Sequence, residues 1–225
     1  NGSYWNSTVV VDAPGFEASD VIFENSFNQY ISKKESEDVV VEWAVGGKGK
    51  RPTDQGNTAV QGKSFVERAA AIAYTKNGDK SILNKCRIIG RQDSFYGAEG
   101  ARVVAYKSSL MGGTDYIFGG MTLVAYQCDL AMNTSETNTD VSYITAAQQT
   151  TARGYLMYEC RITSAIPGIE TASQYLSKPG ALGRPWQGTT SEVVYYKTTI
   201  DSTNSPGFEG KSMIQEAGWN STLGG

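Results

Sequence analysis

The chain has 225 residues, 40% of them hydrophobic and 19% charged, with a formal net charge of −3 and no histidine. This balance suits one sizeable soluble domain with a buried core, and it argues against a disordered chain, a membrane span or a basic nucleic-acid footprint. Without histidine there are no Ser-His or Cys-His nucleophiles and no His-rich metal sites, so carboxylates must carry any acid/base chemistry.

The chain opens at Asn1 without a methionine or a charged leader, and its first residues read like the interior of a fold. This predicts that a leader, or more, has been removed. A five-residue pattern then recurs: aromatic or Asn, polar, small, any, apolar. Its copies are Phe23-Glu-Asn-Ser-Phe27, Asn84-Lys-Cys-Arg-Ile88, Tyr106-Lys-Ser-Ser-Leu110, Tyr126-Gln-Cys-Asp-Leu130, Tyr158-Glu-Cys-Arg-Ile162 and Tyr196-Lys-Thr-Thr-Ile200. The small places are Asn25, Cys86, Ser108, Cys128, Cys160 and Thr198, with tightest spacings of 22 and 20 residues. Such periods fit one coil each of a solenoid.

Within each copy the alternation has period two. The residues before it are aliphatic or β-branched in most copies, as in Val103-Val104, Leu123-Val124, Leu156-Met157 and Val193-Val194, which predicts strands. Stacked strand units of this length make an all-β parallel β-helix. The charged, glycine-rich stretch from about 32 to 58 reads as a surface insertion in a single domain over 1–225. Loops are expected from Asn133 to Asp140 and from Ala165 to Gly183. The three cysteines occupy small interior places and read as buried structural thiols, and Tyr106, Tyr126, Tyr158 and Tyr196 read as repeat packing.

Two aspartates break the monotony. Asp93 lies seven residues after Cys86 and Asp115 seven after Ser108, while later copies put Ser135, Pro167 and Ser205 at that offset. Equal coil phase puts the two carboxylates on neighbouring rungs about 4.8 Å apart, where both cannot easily ionise and one holds a proton. Turn-forming aspartates with no further role are the plainer alternative. Beside the pair, Gln92 is a neutral amide donor for a developing oxyanion, and Phe95, Tyr96, Tyr116 and Phe118 are expected as aromatic walls. Leu182-Gly-Arg-Pro-Trp186 supplies Arg184, able to grip one carboxylate and keep it ionised, and Trp186, able to stack on a sugar.

Gln92-Asp-Ser-Phe-Tyr96, Asp115-Tyr-Ile-Phe-Gly119 and Leu182-Gly-Arg-Pro-Trp186, in that order, resemble the three signature segments of pectin methylesterases, the carbohydrate esterases of family 8. The resemblance extends from Gly15 to Trp219. It implies a right-handed parallel β-helix, no metal or cofactor, and hydrolysis of the methyl esters of polygalacturonate in pectin to pectate and methanol. By this likeness Asp115 is the nucleophile, and Asp93 is the general acid and then the general base. Gln92 holds the oxyanion, Arg184 orients Asp115, and Trp186 is the sugar platform. A polymeric substrate implies a secreted or periplasmic protein, with no nucleic-acid or membrane partner.

The chain departs from the family pattern in two ways. A second glutamine expected about one coil before Gln92 is replaced by Ala70 in Ala69-Ala-Ala-Ile-Ala-Tyr74, which removes one donor unless Gln148, Gln149 or a backbone amide replaces it. N-terminal coils and a cap are missing, so a longer chain or another polypeptide is expected to cover that end. Three other readings stay open. One is a polygalacturonase or pectate lyase, disfavoured by the lack of histidine, of a third ladder acid and of a Ca²⁺-type acid cluster. Another is a non-catalytic glycan-binding β-helix. The third is an esterase or thioesterase of other acyl specificity on the same site.

Overall fold

The computed structural model describes residues 7–25, 39–41, 48–50, 70–90, 92–132, 143–151, 153–164, 181–185 and 190–200. Among them every regular element is a strand, and eighteen of the twenty strands form three six-stranded parallel sheets. The first sheet holds β1 (Val9–Val11), β6 (Ile72–Tyr74), β9 (Phe95–Gly97), β12 (Ile117–Gly119), β15 (Tyr143–Ala147) and β18 (Ala181–Pro185). The second holds β2 (Glu17–Ser19), β7 (Ser81–Asn84), β10 (Arg102–Tyr106), β13 (Thr122–Tyr126), β16 (Tyr155–Tyr158) and β19 (Val193–Tyr196). The third holds β3 (Ile22–Glu24), β8 (Arg87–Ile89), β11 (Ser109–Gly112), β14 (Asp129–Met132), β17 (Arg161–Ser164) and β20 (Thr199–Ile200). Each coil gives one strand to each sheet and stacks in register on the next, as in Val103↔Leu123 and Leu110↔Leu130. This is a parallel β-helix, right-handed as crossovers between parallel strands of one sheet almost always are.

The five-residue repeat is the corner between the second and third sheets. Its first place ends the second-sheet strand. Its second place takes a left-handed backbone in every coil: Asp20, Lys85, Lys107, Gln127, Glu159 and Lys197 have φ between 47° and 57°. Hydrogen bonding continues through this strained residue, with the Lys107 and Gln127 amides donating to Tyr126 and Tyr158 carbonyls at 2.9 and 3.0 Å. The small third place points inward and donates to a carbonyl of the preceding coil. Cys128 Sγ reaches Ala105 O at 3.2 Å, Cys160 Sγ reaches Ala125 O at 3.3 Å and Thr198 Oγ1 reaches Met157 O at 2.9 Å. In the coils that stack on a preceding one, a compact donor is therefore what this place selects, and Cys, Ser and Thr all qualify.

The first copy of the repeat is corrected by the strand register. Phe23 pairs with Ile88, so it fills the fifth, apolar place rather than the first. The copy in that coil runs Ser19-Asp-Val-Ile-Phe23, with Val21 rather than Asn25 at the small place, because left-handed Asp20 marks the corner. The four tyrosines form an outer stack with ring centroids 5.4, 5.1 and 5.6 Å apart. Inside, one apolar cluster runs the length of the coils, from Val11 and Phe23 through Leu83, Leu110 and Leu123 to Met157 and Ile162. Within the expected 32–58 insertion, β4 (Val39–Val41) and β5 (Lys48–Lys50) form a separate antiparallel pair, and its other residues lie outside the described ones.

Candidate active site

The corner between the third and first sheets is where the chemistry gathers. Phe95 pairs with Ile117 and Tyr96 with Phe118, so Asp93 and Asp115, each two residues before these strands, occupy the same place on adjoining rungs. Both have left-handed backbones, with φ of 59° and 54°, a conformation that aspartate tolerates better than most residues. The Asp93 amide donates to Thr114 O at 3.1 Å, tying one turn to the next. Asp93, Asp115 and Gln92 are 8%, 5% and 9% exposed, so all three polar side chains sit at the edge of water.

Arg184 arrives from two coils further on. On β18 it stands opposite Ala146 of β15, in the outward-facing row that continues through Phe118 and Tyr96. Its Nε and Nη2 donate to the two Asp115 carboxylate oxygens at 2.8 and 2.5 Å, a bidentate pair. Burial works against the guanidinium charge, but the hydrogen bonds and charge of Asp115, helped by Tyr143 and Asp93, raise its pKa above the ordinary value. The electrostatic reach of Asp93 places it in the same cluster. One cation thus faces two acids, gripping one of them with both donors.

The aromatic residues divide. Tyr96 and Phe118 are half-buried, face outward beside the aspartates, and have ring centroids 4.9 Å apart. Phe95 is 1% exposed and packs in the interior against Tyr74 at 6.0 Å, and Tyr116 is fully buried in the same core. Neither is a wall of an open groove, and both expectations are corrected. The reason is local: the left-handed aspartate interrupts the period-two alternation, so the two residues after it both turn inward. Trp186 lies outside the described residues.

Ala70 lies two residues before β6, one rung from Asp93 by the strand register, and the Ala71 amide donates to Ser94 O at 2.8 Å. Gln149 does not replace a donor there. It is fully buried, and its Nε2 donates to Met121 O at 3.1 Å. Gln148 is half-buried, and its backbone N–H donates to Gly119 O at 3.0 Å. Tyr143 was not among the residues singled out from the sequence. Its ring centroid lies 4.5 Å from the Arg184 guanidinium carbon. Its only sequence signal is a place opening the strand-like run Tyr143-Ile-Thr-Ala-Ala147.

A family model described as Pectinesterase matches residues 45–221. Among curated proteins, Pectinesterase 2 of Citrus sinensis is 28% identical over 191 residues, which cover 78% of this chain and 34% of that protein. Probable pectinesterase A of Neosartorya fischeri is 31% identical over 146 residues, covering 63% of this chain and 40% of that protein. Among solved structures, the pectin methylesterase from Yersinia enterocolitica superposes with a TM-score of 0.60 at 25% identity, over 87% of this chain and 57% of the other. The chain thus spans between one third and three fifths of the length of these relatives.

Proposed function

This chain belongs to the pectinesterase family, and from that premise we propose that it hydrolyses methyl esters of polygalacturonate, releasing methanol and leaving a carboxylate. The observation that carries this reading is the bidentate grip of Arg184 on Asp115, one rung from Asp93. Two acids in one site are useful only if they hold different protonation states, and a guanidinium bound to one of them separates them. Asp115, paired, stays a carboxylate, and in this reading the second acid, Asp93, carries the proton.

In the proposed reaction an Asp115 oxygen attacks the ester carbonyl carbon, and the Gln92 amide donates to the oxyanion that forms. The intermediate collapses, the C–O bond to the methoxy group breaks, and that oxygen takes the proton of Asp93 to leave as methanol. Asp93, now a carboxylate, takes a proton from water. The resulting hydroxide attacks the acyl-aspartate, freeing the galacturonate and restoring both acids. Tyr96 and Phe118 offer an apolar surface for the substrate beside the pair. The role of Trp186 as a sugar platform rests on sequence likeness. A polymeric substrate of this kind would be met outside the cytoplasm.

The absence of a side-chain donor at Ala70 favours one second reading, a β-helix that binds galacturonan without cleaving it. Incubation of the protein with highly methyl-esterified polygalacturonate separates the readings by product. Methanol without new reducing ends or unsaturated products supports the esterase. New reducing ends or unsaturated uronate point to the other β-helical enzymes, and retention of the polymer with none of these products points to the binding module.

A further inference from the structure

We propose that Tyr143 is a positioning residue for the Asp115–Arg184 pair, its ring holding the guanidinium plane so that both donors meet the carboxylate. This rests on the hydrolytic reading above for its effect on turnover, though not for the geometry itself. Arg184 is a long side chain, and both of its donors to Asp115 meet the carboxylate only when the guanidinium plane is correctly oriented. The Tyr143 ring centroid lies 4.5 Å from the guanidinium carbon and supports that plane from one face. A guanidinium is planar and weakly hydrated on its faces, which is why it stacks on an aromatic surface where an ammonium would keep its water.

The backbone of Tyr143 makes a second, separable connection. Its amide donates to Gly113 O at 3.1 Å, and its carbonyl accepts from the Tyr116 amide at 3.4 Å. These two bonds bracket the turn that carries Asp115. One residue thus locates the acid through its peptide and the cation through its ring. Because the peptide bonds survive a change of side chain, the ring can be removed without releasing the turn.

The test uses the full chain with Tyr143→Leu, Tyr143→Phe and Asp115→Ala, read in two ways. The first is solvent exchange of the Arg184 Nε–H by NMR, assigned with Arg184→Lys. The second is kcat and KM for methanol release. Tyr143→Leu is expected to speed Nε–H exchange about tenfold and to lower kcat roughly 3- to 30-fold, with KM within about twofold of wild type. Tyr143→Phe, which keeps the ring, recovers both. An unchanged exchange rate in Tyr143→Leu, or equal losses in the Phe and Leu variants, overturns the proposal. If wild type and Asp115→Ala release no methanol, the hydrolytic reading fails, while the exchange measurement still decides whether Tyr143 holds Arg184.

Discussion

Arg184 and Asp115 stand 69 residues apart in the chain yet meet in two hydrogen bonds of 2.8 and 2.5 Å, made possible because β18 and the turn before β12 flank opposite edges of β15. The Asp115 side chain is 6% exposed and that of Arg184 27%. A pair this sheltered is only weakly screened, and loss of either partner leaves the other charge poorly solvated.

Arg184→Lys keeps the charge but loses the fork. We expect kcat to fall roughly tenfold or more, because a point charge cannot engage both carboxylate oxygens in the plane. Arg184→Ala should cost about 1.5–3 kcal/mol of stability as well. Steady-state methanol release and denaturant unfolding check the two effects separately.

Gly183 makes the approach of Arg184 possible. A Cβ at 183 would collide with Thr145 Oγ1 and lie 2.8 Å from the Thr145 carbonyl oxygen. Gly183→Ala is therefore expected to destabilise the protein by about 1–3 kcal/mol and to reduce kcat by displacing Arg184. Adding Thr145→Ala should restore only part of the stability, because the carbonyl contact remains. Melting temperatures of the single and double variants test this.

The corner thiols should be tolerant of one change and inert to reagent. Cys128 donates to a backbone carbonyl, so Cys128→Ser should cost less than Cys128→Ala, with a difference of about 1 kcal/mol. The contact with Cys160, together with burial, pushes the Cys128 thiol well above the ordinary range, so little thiolate is present. All three thiols are buried, at 0%, 1% and 2% exposed, so a disulfide exchange reagent should titrate none of Cys86, Cys128 and Cys160 in the native protein, and all three after unfolding. Rapid labelling of the native state would contradict the burial.

A pH effect on stability comes from the rim. Hydrogen bonds from Arg102 at 2.8 and 2.7 Å lower the Asp79 pKa from 3.8 to about 2. A folded-state pKa below the unfolded value means that the pair stabilises above about pH 4 and that this contribution is lost as pH falls from there to about 2. Asp79→Asn should lower the melting temperature at pH 7, and the gap should close as pH falls through about 2. The gap should shrink in high salt, because the Arg102 side chain is 58% exposed.

Much of this arrangement could be read from residue spacing, because a β-helix writes its period into the chain. The recurring Tyr-polar-small unit marks a corner that places a left-handed residue in every coil and an inward donor in each coil after the first, and the equal offsets of Asp93 and Asp115 become adjoining rungs. What spacing did not reveal comes from interruptions of the period. Strand alternation suggests that Phe95 and Tyr96 point to opposite faces but not which faces inward, and left-handed Asp93 decides that. Phe23 was placed by its aromatic character, whereas strand register answers to the left-handed Asp20. Tyr143 follows the stretch 133–142, which alters the coil length, so no offset from Asp93 or Asp115 leads to it.

In the proposed reaction Asp115 acts as a carboxylate nucleophile. Asp115→Asn preserves its size while removing its charge, so methanol release from methyl-esterified polygalacturonate should fall by at least about 1000-fold with the variant still folded by circular dichroism. A folded Asp115→Asn protein that releases methanol within about threefold of the wild-type rate would show that the ester is cleaved by some other group.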